Sequence, residues 1–246
     1  MVRSVLSMLC VMLFVMFSCN GFAQSRKQIS LACNEFPPHK MANSPDGLLG
    51  FDVDILKHIF EKMDFDLSIT YFPWKRALAN TREAQVDGLC SCSKSRERED
   101  WLLYTDQLGT VGIGFFYRKG FNVLAMLDTK RGQNATVAVV RGYVLSKELR
   151  EQSFQPMHVN DDETGIRMLL NGRIDTFYTY RDTGHYFLSK LRSAKDIQYM
   201  EVRESPYYTC FRKSLPDGEK ILHQFNEELN VLHKTGEYER IKDRYR

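Results

Sequence analysis

FDVDILKHIFEKMDFDLSITYFPWKRALANTREAQVDGLCSC, residues 51–92, switches between two hydrophobic rhythms. Over Phe51–Lys62 the apolar residues Val53, Ile55, Leu56, Ile59 and Phe60 recur at helical spacing. Asp52 and Asp54 stand near the start of that run, where carboxylates complement the helix dipole. Leu67–Phe72 (LSITYF) alternates as a strand does, Trp74–Ala84 returns to a helical pattern, and Val86–Cys92 is again strand-like. Upstream, Gln28–Cys33 (QISLAC) is a short apolar strand. Asn34-Glu35-Phe36-Pro37-Pro38 after it must be a loop, because paired prolines block both ladder and helix. The order is β-α-β-α-β, which requires a parallel sheet with crossover helices.

Downstream, Arg96–Asp100 is a charged turn and Gly112–Arg118 (GIGFFYR) a strand. The alternation then restarts. Strands are predicted at Thr136–Val140, Met157–Val159 and Ile174–Tyr180, and helices at Val144–Glu151, Asp162–Asn171 and Gly184–Leu191. Gly172 serves as the stop of the middle helix. Tyr207–Arg212 (YYTCFR) is a strand, and Glu219–Tyr245 is amphipathic and helical with a break at Thr235-Gly236. Two β-α-β blocks in one chain of this size predict two small α/β lobes.

The 246 residues carry 34 Lys+Arg against 31 Asp+Glu, and this balance, with no long basic run, excludes a phosphate backbone as partner. A hydrophobic share of 43% supports a sizeable core and excludes disorder. One apolar run stands apart. Arg3, then Val5–Phe17, then the small residues Gly21 and Ala23 before Gln24 have the pattern of a secretory signal with an A-x-A-like cleavage site. The apolar run falls short of the ~20 residues a spanning helix needs. Residues 1–23 are therefore expected to be removed on export to the periplasm. Acylation at Cys19 is disfavoured by the poor lipobox Met16-Phe17-Ser18.

Export would leave Cys33, Cys90, Cys92 and Cys210 in an oxidising compartment, where three full pairings and buried free thiols are all open. Cys90 and Cys92, two apart in a strand, have poor geometry for bridging each other. The sequence contains no dinucleotide, Walker, nucleophile-elbow or HExxH motif, and its histidines (39, 58, 158, 185, 223 and 233) form no pair at metal-ligand spacing. No cofactor is implied. An exported two-lobed α/β chain without catalytic signatures points to binding.

Several short stretches carry a family resemblance: Glu35-Phe36-Pro37-Pro38, Gly50-Phe51-Asp52-Val53-Asp54, Pro73-Trp74-Lys75-Arg76-Ala77-Leu78, Ser93-Lys94-Ser95-Arg96-Glu97-Arg98, Asn171-Gly172-Arg173-Ile174-Asp175 and Gly236-Glu237-Tyr238-Glu239-Arg240-Ile241. Taken in order, they resemble the family 3 bacterial extracellular solute-binding proteins that serve ABC importers of polar amino acids. The resemblance implies a type II periplasmic binding fold of the α/β class: two parallel-type sheets with flanking helices, joined by two hinge strands and closing on a ligand. One lobe would comprise residues 24–112 plus 205–246, the other 113–204, with hinges at Gly112–Arg118 and Tyr207–Arg212. The implied partners are a small-molecule ligand and an ABC permease or, alternatively, a membrane receptor; no nucleic acid is implied, and the protein should act as a monomer. A few proteins similar to this family are cleft dehydratases, a third and weaker implication.

The resemblance also implies site residues. Arg98 would grip a ligand carboxylate with its planar fork. Ser93 would add a hydroxyl and a backbone N–H, and the Ser91 carbonyl would accept from a ligand amine. Phe36 and Trp74 would sandwich the ligand. Two positions depart from the pattern. Where amino-acid binders carry an ammonium-pairing aspartate this chain has Tyr180, with Asp182 two residues on as a substitute only if the turn is shifted. A ring, Tyr143, stands where a small hydroxyl is usual. Phe36, Trp74, Tyr143 and Tyr180 together favour an aromatic or flat carboxylate-bearing ligand over an ordinary amino acid.

Overall fold

A computed structural model describes residues 26–245 apart from 43, 45, 129–133 and 192–193. The proposed signal segment, residues 1–23 with Cys19, lies outside the described residues. The first block contains β1 (Lys27–Cys33), α1 (Phe51–Lys62), β2 (Phe65–Tyr71), α2 (Trp74–Arg82), β3 (Gly88–Cys92) and a single turn α3 (Arg96–Glu99). β4 (Leu102–Arg118) leads out of it to a short α4 (Val123–Leu127), which the sequence pattern did not suggest. The second block follows as β5 (Val137–Val140), α5 (Leu145–Glu151), β6 (Met157–Val159), α6 (Asp162–Leu170), β7 (Thr176–Tyr180) and α7 (Arg181–Ser189). β8 (Ile197–Arg212) returns to the first block, and α8 (Gly218–Thr235) and α9 (Glu237–Asp243) end the chain. The break between them is Gly236, at φ 72°. Among the described residues no helix is long and apolar enough to cross a membrane.

Both expected parallel blocks are present: β1 pairs in parallel with β2 and β3, and β5 with β6 and β7. They are joined through two strands, β4 and β8, that contain the expected hinge segments. β4 and β8 are each far longer than the predicted segments and pair antiparallel from Leu102–Arg212 to Arg118–Ile197. The hydrogen-bonded order is therefore continuous, β2-β1-β3-β8-β4-β7-β5-β6. The added stretches 102–111 and 197–206 are half-exposed and rich in polar residues, so they carry no continuous apolar run to betray a strand. The β4–β8 register shifts between Tyr104 and Gln107, Gln107 and Gly109, and Ile113 and Gly114. These irregularities fall where the ladder passes from one block to the other, and such breaks let a strand bend.

Two disulfides tie three adjacent strands. Cys33–Cys90 joins β1 to β3, and Cys92–Cys210 joins β3 to β8. The alternative of buried free thiols is thereby replaced by complete pairing, and Cys90 and Cys92 do not bridge each other. Below them Phe60 of α1, Phe211 of β8 and Phe225 of α8 form a triangle with centroids 5.7–6.3 Å apart. All three rings are fully buried, so the last helix packs on the first block.

The loop after β1 is pinned to the start of α1. Two of the helix's free N–H groups are used there: Phe51 donates to the Pro38 carbonyl at 3.2 Å and Asp52 to the His39 carbonyl at 3.0 Å. That approach requires Gly50, whose φ is 98° and whose Cβ, if present, would collide with the His39 carbonyl. Gly50→Ala should therefore cost about 2 kcal/mol or more and lower the melting temperature by roughly 4–8 °C in a chain of this size. Coincident thermal unfolding curves would contradict this placement of the loop.

Candidate functional site

The loop after β1, the C-terminal end of β3, the start of α2 and the turn after β5 converge on one small cavity between the two blocks. It is lined by Asn34, Phe36, His39, Lys40, Trp74, Ser91, Cys92, Ser93, Arg98, Val111, Tyr143, Val144, Tyr180 and Tyr207. Seven of the eight residues singled out from the sequence are in this set; Asp182 is not.

Arg98 sits on the one-turn α3 with only 6% of its surface exposed. Its Nη1 donates to the Ser93 carbonyl and its Nη2 to the Gly142 carbonyl, both at 2.9 Å. Its guanidinium lies 5.3 Å from the Trp74 ring, and Trp74 Nε1 donates to the same Gly142 carbonyl at 3.0 Å. Both side chains of the first block thus reach the Gly142 turn of the second. A guanidinium has five N–H donors, and two are used among the described residues, leaving three for another acceptor. Burial weakens its hold on the proton.

Ser93 Oγ and the Tyr180 hydroxyl are 2.9 Å apart across the cleft. Tyr180 also meets Phe36 edge-on at 5.2 Å and Tyr143 at 5.1 Å, and Tyr143 meets Trp74 at 6.4 Å. The four rings are therefore linked to one another edge to face, rather than standing apart as two open stacking plates. Ser91 has a further use: its Oγ accepts from Lys40 Nζ at 2.6 Å.

Asp182 is placed otherwise than its role as an ammonium partner would require. Its Oδ2 is 3.1 Å from His39 Nε2 and its Oδ1 is 3.1 Å from Arg181 Nε, so both oxygens are occupied by side chains of the protein. Burial of Asp182 favours its neutral form, but His39 and Arg181 outweigh that and hold it below the usual carboxylate range. β7 ends at Tyr180 and α7 begins directly at Arg181.

Three residues at the site escaped the sequence. His39, one of the scattered histidines, is buried and bridges the blocks: Nδ1 lies 3.2 Å from the Tyr207 hydroxyl, which itself donates to Asp52 Oδ1 at 2.8 Å, and Nε2 reaches Asp182. Burial alone would deprotonate His39, but Asp52 and Asp182 raise its pKa above the ordinary value. Asp162, at the first turn of α6, is buried and accepts from the Tyr143 hydroxyl at 2.7 Å and from Thr179 Oγ1. Burial pushes its pKa up to about 6 despite those two bonds. In the sequence Asp162 reads as an ordinary acidic residue at a helix start, a position its neighbour Asp161 in fact fills by capping Thr164 N. Lys40 is 3% exposed, and burial pulls its pKa down to about 8 against the opposing pull of Asp52, Asp162 and Glu35. A buried lysine has no sequence signature, because lysine is nearly always at the surface.

Among the described residues no cluster of His, Cys, Asp and Glu is arranged to hold a metal ion.

The chain is similar to an arginine-binding periplasmic protein of Mannheimia haemolytica, 23% identical over 243 residues, spanning 95% of this chain and 97% of the relative. Among solved structures it resembles a histidine kinase sensor domain with similarity to periplasmic binding proteins, at TM-score 0.81 and 20% identity over 90% of this chain and 96% of that one. An ancestral arginine-binding protein bound to arginine matches at TM-score 0.78 and 18% identity, over 90% and 99% of the two chains. These likenesses establish the two-lobed type II binding fold. The model of the bacterial extracellular solute-binding proteins, family 3, matches residues 29–246, and the chain belongs to that family.

Proposed function

We propose that the protein captures a small carboxylate-bearing solute between its two lobes in the periplasm and delivers it to an ABC importer. The lobes of this reading are residues 24–112 with 205–246, and residues 113–204, with residues 1–23 acting as an export signal. β4 and β8 serve as the hinge, at their register breaks, and the unit acts as a monomer. The observation that carries the reading is Arg98: a buried guanidinium at the lobe boundary, stacked on Trp74, with three N–H groups left over in a cavity it shares with Ser91, Ser93 and four aromatic rings. Such a fork is suited to a carboxylate, whose two oxygens it meets in parallel. Phe36, Trp74, Tyr143 and Tyr180 shape the cavity, Ser93 with Tyr180 latches it, and the Ser91 carbonyl remains an acceptor for a ligand N–H. We read the site as one that holds its ligand rather than turning it over, in keeping with the binding proteins the chain resembles.

A thermal-shift screen of the purified protein against amino acids, organic acids and polyamines tests the proposal. A ligand at a hundredfold excess over Kd should stabilise the native state by about 2.7 kcal/mol, a rise of roughly 5–10 °C. Shifts confined to polyamines would refute a carboxylate site. A second reading has its own support in the sensor-domain likeness: the same closure would then be reported to a membrane receptor instead of a permease. Ligand-dependent pull-down of the permease separates the two, since a sensor would retain only its receptor.

A further inference from the structure

Lys40 and Arg98 are two buried cations in one cavity, 3% and 6% exposed, and neither forms an ion pair with any carboxylate of the described residues. Burying a charge without a counter-charge is costly, so such groups are normally paired, or else wait for a partner. The nearby carboxylates are committed elsewhere. Asp162 accepts from Tyr143 and Thr179, Asp182 is held by His39 and Arg181, and Asp52 accepts from Tyr207 at Oδ1 while its Oδ2, without a hydrogen-bond partner, lies 3.5 Å from His39. Glu35 accepts from Ala42 N at 2.9 Å. Lys40 Nζ has only the neutral Ser91 hydroxyl and the face of Phe36, 5.0 Å away, so two of its three N–H groups have no partner among the described residues.

The rings reinforce this. An aromatic cage for a cationic ligand must present free faces. Here the Phe36 face carries Lys40 and the Trp74 face carries Arg98, so the protein's own cations occupy the places a ligand guanidinium or ammonium would take. The position from which an ammonium would be paired is Tyr180, whose hydroxyl is engaged with Ser93. The two cations are held two residues apart, or roughly 7 Å of extended chain: Lys40 on the Ser91 hydroxyl in β3 and Arg98 on the Ser93 carbonyl just past its end.

We infer that the natural ligand is a short dicarboxylate, with one carboxylate on the Arg98 fork and the second on the Lys40 ammonium, and with no requirement for an α-amino group. The inference rests on the reading of this cavity as the solute site and narrows it to doubly anionic solutes, which include both plain dicarboxylic acids and acidic amino acids. The lowered affinity of Lys40 for its proton agrees with a cation that is unpaired until the ligand arrives.

Calorimetry with glutarate, L-glutamate, L-glutamine and L-arginine tests it. Glutarate is expected to bind, and L-glutamine, which replaces one carboxylate by an amide of the same shape, at least about tenfold more weakly than L-glutamate. The ratio of glutarate to L-glutamate affinity distinguishes a dicarboxylic acid from an acidic amino acid as the source. Lys40→Met should weaken glutarate by at least about thirtyfold while raising the melting temperature of the unliganded protein, because a buried unpaired charge is gone. In the parent protein, glutarate affinity should fall about tenfold between about pH 7 and pH 9 as Lys40 loses its proton; glutarate itself does not titrate in that range, and Lys40→Arg should flatten the profile. Should the methionine variant fail to fold, the pH profile and its loss in Lys40→Arg decide alone. L-arginine or L-glutamine binding as tightly as L-glutamate, a flat pH profile in the parent protein, or silence from all four probes at millimolar concentration would each overturn the inference. A carboxylate ligand lost on Arg98→Ala but indifferent to Lys40→Met would remove the second-cation role and leave the solute site standing.

Discussion

Replacing Arg98 with alanine is expected to weaken binding of any carboxylate ligand by about a hundredfold or more. Truncating one member of a buried, hydrogen-bonded charge pair costs roughly 2–5 kcal/mol, most of it from leaving the partner's charge desolvated and alone. The Ser93 carbonyl would lose its donor as well, and the Gly142 carbonyl on the opposite side of the cleft one of its two, so the closed arrangement weakens with the ligand contact. Arg98→Lys separates the two effects. It keeps the charge but not the planar fork, and should fall between the parent and the alanine variant, near a tenfold loss. Titration calorimetry on the three proteins, with far-ultraviolet circular dichroism as a folding control, reads this directly. An alanine variant that binds within threefold of the parent would show that Arg98 serves the fold and that the carboxylate goes elsewhere.

The second large effect belongs to the disulfides. Cys33–Cys90 closes a separation of 57 residues and Cys92–Cys210 one of 118. In the chain-entropy description each such closure stabilises the native state by about 4 kcal/mol, by restricting the unfolded chain. The paired substitution Cys33→Ala with Cys90→Ala should therefore lower the unfolding midpoint by on the order of 10 °C. Cys92→Ala with Cys210→Ala should act at least as strongly, and the parent protein in reductant should lose both contributions. Identical melting curves with and without reductant would mean that the thiols are not paired in solution. Binding should also suffer in the variants, because Ser91 lies between the two half-cystines of β3 and Ser93 directly after the strand; the staples fix the strand end from which both serines enter the cavity.

Much of the architecture was legible in the chain. Val53, Ile55, Leu56, Ile59 and Phe60 mark α1 to its last residue, and the Thr235-Gly236 break falls where α8 ends. Legibility failed where the physics is not local. β4 and β8 extend into segments with one wet face, which lack the apolar run of a buried strand. At the site, Arg98, the two serines and the four rings stood out through their places in the family's motifs, where guanidinium, hydroxyl and aromatic groups suit a carboxylate ligand. Lys40, His39 and Asp162 did not. A lysine in a loop, a lone histidine and an acid at a helix start are ordinary surface residues until tertiary contacts bury them. The charge state of the cleft is therefore a property of the fold, and it shifts the expectation from a flat aromatic ligand toward a doubly charged one.

The strand order has a consequence for how the chain is made. β8 lies between β3 and β4, although it is the last strand to leave the ribosome. Until residues 197–212 emerge, β3 and β4 each present an open edge with unpaired backbone groups, and the first block is an incomplete sheet. Its closing contacts join residues about a hundred apart, as in Leu102 with Arg212, and so carry a large loop-closure cost before they stabilise anything. The N-terminal half is thus unable to mature on its own, and a chain truncated before β8 would be an aggregating fragment rather than a smaller domain.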